Sequence, residues 1–79
     1  MNLKIEYFAA MREQAGKSHE LLETSAKTPK ELLKELKSKY HFSLGEKELK
    51  VAINEEYSHF SSILQDGDTI VFIPPVAGG

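Results

Sequence analysis

Seventy-nine residues, 41% hydrophobic and 28% charged, with a formal charge of −2 and no cysteine, describe an ordinary globule of at most one domain. Without cysteine, disulfide staples and thiolate metal sites are excluded, so a thin core must be built from Leu, Ile, Val, Phe and Tyr. Charges of both signs are scattered with no basic block, which speaks against nucleic acid, and no apolar run is long enough to span a bilayer.

The start "MNLKIEYFAA" has no basic region followed by a signal-peptide core, so the expected location is cytoplasmic. Within "NLKIEYFA" (2–9), Leu3, Ile5 and Tyr7 alternate with Lys4 and Glu6, the period of a strand with one buried face. "AMREQAG" breaks that alternation and ends on Gly16, which reads as a turn. "KSHELLET" resumes as a shorter strand, paired with the first as a hairpin.

Thr28-Pro29-Lys30-Glu31 carries the clearest local signal. The Thr28 hydroxyl can accept from the Glu31 N–H, and the Glu31 carboxylate can reach back to the N–H of Thr28. Pro29 falls at the first helical position, where a missing N–H costs nothing. Leu32, Leu33, Leu36 and Tyr40 then recur at helical spacing, predicting a helix from Pro29 to Tyr40. Lys37 and Lys39 near its end suit the helix dipole.

"HFSLGEKE" is a connection turning at Gly45. "LKVAIN" alternates Leu49, Val51 and Ile53 against Lys50, Ala52 and Asn54, so it reads as a strand with one buried face. "NEEY" is a tight turn, and in the irregular "SHFSSILQ" Phe60, Ile63 and Leu64 are expected beneath the core. Asp66-Gly67-Asp68 is a turn. "TIVFI" is apolar on both faces and should be a central strand, and Pro74 and Pro75 end the pairing because neither has an N–H to give.

The order strand, strand, helix, strand, turn, strand leaves one main helix to cover one face of a small mixed sheet. The two most apolar strands, first and last, belong side by side in the middle. This is an α+β chain with the β-grasp, or ubiquitin-like, arrangement: a domain over residues 1–73 and an extended tail over 74–79.

The body offers no active site. His19, His41 and His59 share no metal-ligand spacing, Ser61 and Ser62 lack a nucleophile-elbow setting, and Gly45 and Gly67 stand alone, so nothing cradles a phosphate. The lysines of the helix read as a solvated face. The tail "PPVAGG" differs. Last residues commonly fray. Pro74 and Pro75, however, favour an extended conformation, Val76 and Ala77 are small and apolar, and Gly78 and Gly79 carry no Cβ, so enclosing walls can close on the backbone itself. Extended, the tail reaches roughly 20 Å, enough to deliver a carboxylate into another protein's interior.

Two stretches carry a family resemblance. "YFAAMREQAG" is similar to a Phe-Ala-x-x-Arg-Glu-x-x-Gly pattern, met by Phe8, Ala9, Arg12, Glu13 and Gly16. "LQDGDTIVFIPPVAGG" resembles an Asp-Gly-Asp turn, an apolar strand and a Pro-Pro-Val-(Ala/Ser)-Gly-Gly ending, met by Asp66, Gly67, Asp68 and Pro74 to Gly79. Both patterns belong to the small, sulfur-carrier subunits of molybdopterin synthase, within the ubiquitin-like sulfur-carrier family. Between Ser18 and Lys50 the likeness is one of fold alone.

The resemblance implies a non-catalytic sulfur donor inside a heteromeric sulfurtransferase. A partner enzyme, using ATP and magnesium, would adenylate the Gly79 carboxylate, and a sulfur donor would convert the adenylate to a thiocarboxylate. The tail would then enter the large synthase subunit, in a heterotetramer, and yield sulfur to cyclic pyranopterin monophosphate in molybdenum cofactor biosynthesis. The chain would hold no cofactor permanently and would reach the pterin through the large subunit. Phe8 and Ile73 are candidate apolar contacts for the partners and Arg12 a polar one; the alternatives are core packing for the first two and a loop salt bridge for the third. Other readings of the tail are a sulfur carrier for thiamine or tRNA thiolation, a ubiquitin-like protein modifier, and an inert end on an interaction module.

Overall fold

A computed structural model describes residues 1–75. Strand β1 (Asn2–Glu6) leads into helix α1 (Ala9–Ala15), then β2 (His19–Glu23), α2 (Pro29–Tyr40), β3 (Lys50–Ile53), β4 (Glu56–Ser58) and β5 (Thr69–Ile73), with a 3₁₀ turn at Glu46–Glu48. The sheet has five strands in the order β2-β1-β5-β3-β4. β1 and β5 lie parallel at its centre and the other pairs are antiparallel, so the most apolar strands are neighbours, as expected. The architecture is the β-grasp.

Leu3, Ile5, Val51, Ile70 and Phe72 from one sheet face and Leu32, Leu33 and Leu36 from α2 form a single buried cluster. α2 has the predicted limits. Thr28 Oγ1 accepts from the Glu31 N–H at 3.2 Å. The return bond differs from the expected one: Glu31 accepts from Lys27 at 2.8 Å, one residue earlier than Thr28. The helix ends on His41 in the left-handed region (φ 59), while Gly45, expected to make the turn, has φ −118.

Three other readings change. The segment taken as a turn before Gly16 is α1, so β1 and β2 pair through a helical connection. Ala, Met, Arg, Glu and Gln all favour helix, but seven residues expose only two inward positions, Met11 and Ala15, too few to register as a period. "NEEY" does hold the expected tight turn, but its last two residues and the Ser58 after them form a strand, so the turn closes a hairpin. Asn54 (φ 52) and Glu55 (φ 70) are both left-handed, the geometry that matches strand twist, and β4 follows. Of the three loop residues expected in the core, Leu64 is buried and Phe60 stacks on Phe72 with ring centroids 6.1 Å apart, but Ile63 is exposed. No periodic element dictates its side.

The loop before β5 is tied to the start of β1. Asp66 Oδ1 accepts from the Asn2 N–H at 2.6 Å, the Gly67 N–H donates to Asn2 at 2.7 Å, and Asp68 Oδ2 accepts from Gln65 at 2.9 Å. Gly67 takes φ 89, which suits a residue without Cβ. Asn54 donates to Asp68 Oδ1 and accepts from the Thr69 N–H, both at 2.9 Å, fixing the hairpin to the same loop. At the far end of the sheet, Glu20 Oε2 accepts from the Tyr7 hydroxyl at 2.6 Å and the Tyr40 hydroxyl at 2.7 Å, joining β1, β2 and α2. Burial, reinforced by the hydrogen bond to Glu20 and its negative charge, raises the Tyr7 phenol far above its ordinary range.

Candidate functional site

The sheet has one open face. Parity along the strands assigns residues to it: Lys4 and Glu6 on β1, His19, Leu21 and Glu23 on β2, Val71 and Ile73 on β5, Lys50 and Ala52 on β3, Tyr57 on β4. Leu21 is 83% exposed and Tyr57 74%, so this face presents large apolar groups to solvent.

Phe8 belongs to it. The parallel register Lys4–Thr69, Glu6–Val71, continued by two residues, sets Phe8 level with Ile73, and Phe8 keeps an extended backbone (φ −128, ψ 155). It is 47% exposed, so it is not a core residue. Arg12 sits one turn into α1, exposed, with no ion pair among the described residues. Phe8, Arg12, Lys4, Glu6 and His19 surround a hollow of about 260 Å³ on the β1 side of the tail strand.

On the other side, Ile73, Pro74 and Pro75 share a hollow of about 290 Å³ with Leu49, Lys50 and Tyr57. Ile73 is half-buried, Pro74 likewise, and Pro75 is exposed. Thus the proposed contact residues fall in two hollows that flank β5 where it gives way to the prolines. Val76, Ala77, Gly78 and Gly79 lie outside the described residues.

Lys50, Val71 and Tyr57 were not singled out from the sequence. The signal for Val71 was present, since it shares parity with Ile73. Tyr57 could not be placed before the hairpin was known. Ala52 also departs from expectation: it is buried although it lies on the open face, because its short side chain sits between Val71 and Tyr57 on the adjoining strands.

The described part of this site can bind and orient; its cations are Lys4, Arg12, Lys47 and Lys50, and among the described residues no group of three or more His, Asp or Glu could hold a metal ion. The model of the ThiS family matches residues 5–79. The chain belongs to the ThiS family. Its match runs from within β1 through the tail and takes in both hollows but for Lys4.

Within and around this family, the chain is 35% identical to the molybdopterin synthase sulfur carrier subunit of Haemophilus influenzae, over 98% of this chain and 99% of that protein. It also resembles a chain in the complex of subunits 1 and 2 of molybdopterin-converting factor from Helicobacter pylori, with a TM-score of 0.70, 25% identity and full coverage of both chains. The small archaeal modifier protein 1 of Methanosarcina acetivorans is similar at a TM-score of 0.78 and 27% identity, over 99% of this chain and 96% of that one. Among the described residues, no helix is long and apolar enough to cross a membrane.

Proposed function

We propose that this ThiS-family chain is the sulfur-carrier subunit of a molybdopterin synthase, with Gly79 as the residue that carries sulfur. The observation that carries this reading is the 35% identity to a molybdopterin synthase sulfur carrier subunit across nearly all of both chains. The Pro74-Pro75-Val76-Ala77-Gly78-Gly79 ending supports it.

A carboxylate is a poor electrophile because its negative charge repels nucleophiles. Adenylation by a partner enzyme, with ATP and magnesium, would join the Gly79 carboxylate oxygen to the α-phosphate of AMP and release pyrophosphate. A sulfur donor then attacks the acyl carbon, AMP leaves, and a thiocarboxylate remains. The large synthase subunit would take the tail and pass its sulfur to cyclic pyranopterin monophosphate. Acids, bases and metal for these steps belong to the partners, which accords with a body that presents surfaces rather than catalysts.

In this scheme Gly78 and Gly79 pass a narrow channel and Pro74 and Pro75 keep the tail from folding back onto its sheet. Val76 and Ala77 lie in a groove of the partner. Phe8, Ile73 and Arg12 make the contacts beside the tail. The complex of subunits 1 and 2 in Helicobacter pylori supports a large subunit as the partner.

Intact-mass measurement after incubation with the adenylating enzyme, ATP and a sulfur donor tests the scheme. The expected result is a single oxygen-to-sulfur exchange localised to Gly79. An unchanged mass in an assay that thiocarboxylates a known carrier refutes it. Removing Gly79 should abolish dithiolene formation with the fold intact. A second reading, attachment of Gly79 to lysines of other proteins, is favoured by the likeness to an archaeal modifier protein. Isopeptide-linked conjugates recovered from cells would select it.

A further inference from the structure

β2 is an edge strand, and its outward side is self-complementary. Thr24 and Met1 exchange backbone bonds across the β1–β2 ladder, and the Tyr7 N–H donates to Ser18. The antiparallel alternation therefore turns the backbone groups of Glu20 and Leu22 toward β1. Those of His19, Leu21 and Glu23 turn outward, and among the described residues no strand pairs with them. Between His19 and Glu23 there is no proline, no bulge and no lysine to block pairing; the charges of this strand are Glu20, turned inward to Tyr7 and Tyr40, and Glu23, which the pairing below uses. The opposite edge, β4, has only three residues.

The sequence of this edge reads His-Glu-Leu-Leu-Glu. A second copy laid antiparallel on a two-fold axis through Leu21 puts Leu21 against Leu21 of that copy and His19 against its Glu23, twice by symmetry. All of these are hydrogen-bonded positions, so each pair exchanges two N–H···O bonds. On the open face, two leucines meet at the axis, flanked on either side by an imidazole and a carboxylate. An imidazole N–H can donate to a carboxylate in either charge state.

We propose that the chain self-associates through β2, forming a two-fold dimer with one sheet continuous across both copies. Five residues per copy bury far less than a standard interface, so the dimer is weak and concentration-dependent. It leaves β3, β4 and the hollow of Ile73, Pro74 and Pro75 free, because β1 separates them from β2, while His19 on the rim of the other hollow takes part in the dimer. The proposal does not rest on the sulfur-carrier reading.

Sedimentation velocity of the full chain from low-micromolar to millimolar concentration tests it, with amide hydrogen exchange at both ends of the range. The expected result is a reversible monomer–dimer equilibrium. At high concentration, new protection should fall on the amides of His19, Leu21 and Glu23, with Glu20 and Leu22 protected throughout. Leu21→Glu sets two carboxylates on the axis, faces Lys4 within its own chain, and should weaken the dimer at least tenfold while circular dichroism is unchanged. Glu23→Lys, which sets a lysine against His19 of the other copy, should weaken it. A chain that stays monomeric at millimolar concentration overturns the proposal. A dimer indifferent to Leu21→Glu, or one whose new protection falls elsewhere, overturns it equally.

Discussion

Replacing Glu20 by alanine should cost about 3 kcal/mol of folding free energy, a large share of the roughly 5–15 kcal/mol of a small domain. The carboxylate accepts from two phenols, at 2.6 Å from Tyr7 and 2.7 Å from Tyr40, and its side chain is 11% exposed. A hydrogen bond to a charged group contributes roughly 1.5–3 kcal/mol. Tyr40 is half-buried and can turn its hydroxyl to water, whereas Tyr7 is 1% exposed and would keep an unpaired donor. Lys17 and Lys39, at 3.7 Å and half-exposed, add little. Urea unfolding at pH 7 measures the loss, and the melting point should fall by about 12–24 °C. Glu20→Gln, which keeps an acceptor oxygen, should lose about half as much.

Acid titration adds a sign. Burial alone would raise the Glu20 carboxyl, but the two tyrosine hydroxyls and the two lysine charges outweigh it, and the net shift is downward. A folded pKa below the unfolded value of about 4.3 gives stability that is complete above that value. The stability is lost as pH falls through the folded pKa. The gap between wild type and Glu20→Ala should therefore hold from pH 7 to about 5 and narrow in stronger acid. A loss under about 1 kcal/mol at pH 7, or a gap that widens in acid, would refute the reasoning.

Thr28→Ala removes the N-cap acceptor of α2 and should cost about 1 kcal/mol in the same urea experiment. Glu55→Gly relieves a left-handed residue in the β3–β4 hairpin and should raise stability by roughly 0.5 kcal/mol, the relief being partly offset by a freer unfolded chain. Phe8→Ala, at a solvent-facing position, should leave stability within about 0.5 kcal/mol. In titration calorimetry with the large synthase subunit it should weaken association by about tenfold or more.

Elements long enough to repeat their own period were legible. α2 carries Leu32, Leu33 and Leu36 over twelve residues between Thr28 and His41, and its limits follow from the chain alone. α1 and β4 were not legible, because seven and three residues are too short for a period to show. At Phe8 two rules conflicted. Its apolar side chain suggested the core, but its parity with Lys4 and Glu6 assigned the open face, and parity prevailed. Phe8 lies two residues beyond β1, but its backbone stays extended, so the alternation of the strand carries on to it. The hollow beside Pro74 and Pro75 needed the β3–β4 pairing, a long-range fact that local pattern does not contain.

The position of β5 gives Pro74 and Pro75 a firm root. β5 is hydrogen-bonded on both sides, to β1 and to β3, and Ile70 and Phe72 are fully buried. A pull on Pro74 or Pro75 therefore acts against the most enclosed strand of the sheet, where separation would break two ladders and expose two core side chains. Were the tail to follow β2 or β4, the same pull would peel an edge strand held on one side only. The tie between the Asp66–Asp68 loop and Asn2 secures the other end of β5. The body thus holds the root of Pro74 and Pro75 firmly, and in the proposed sulfur-carrier scheme the two hollows beside β5 would be the surfaces for a partner.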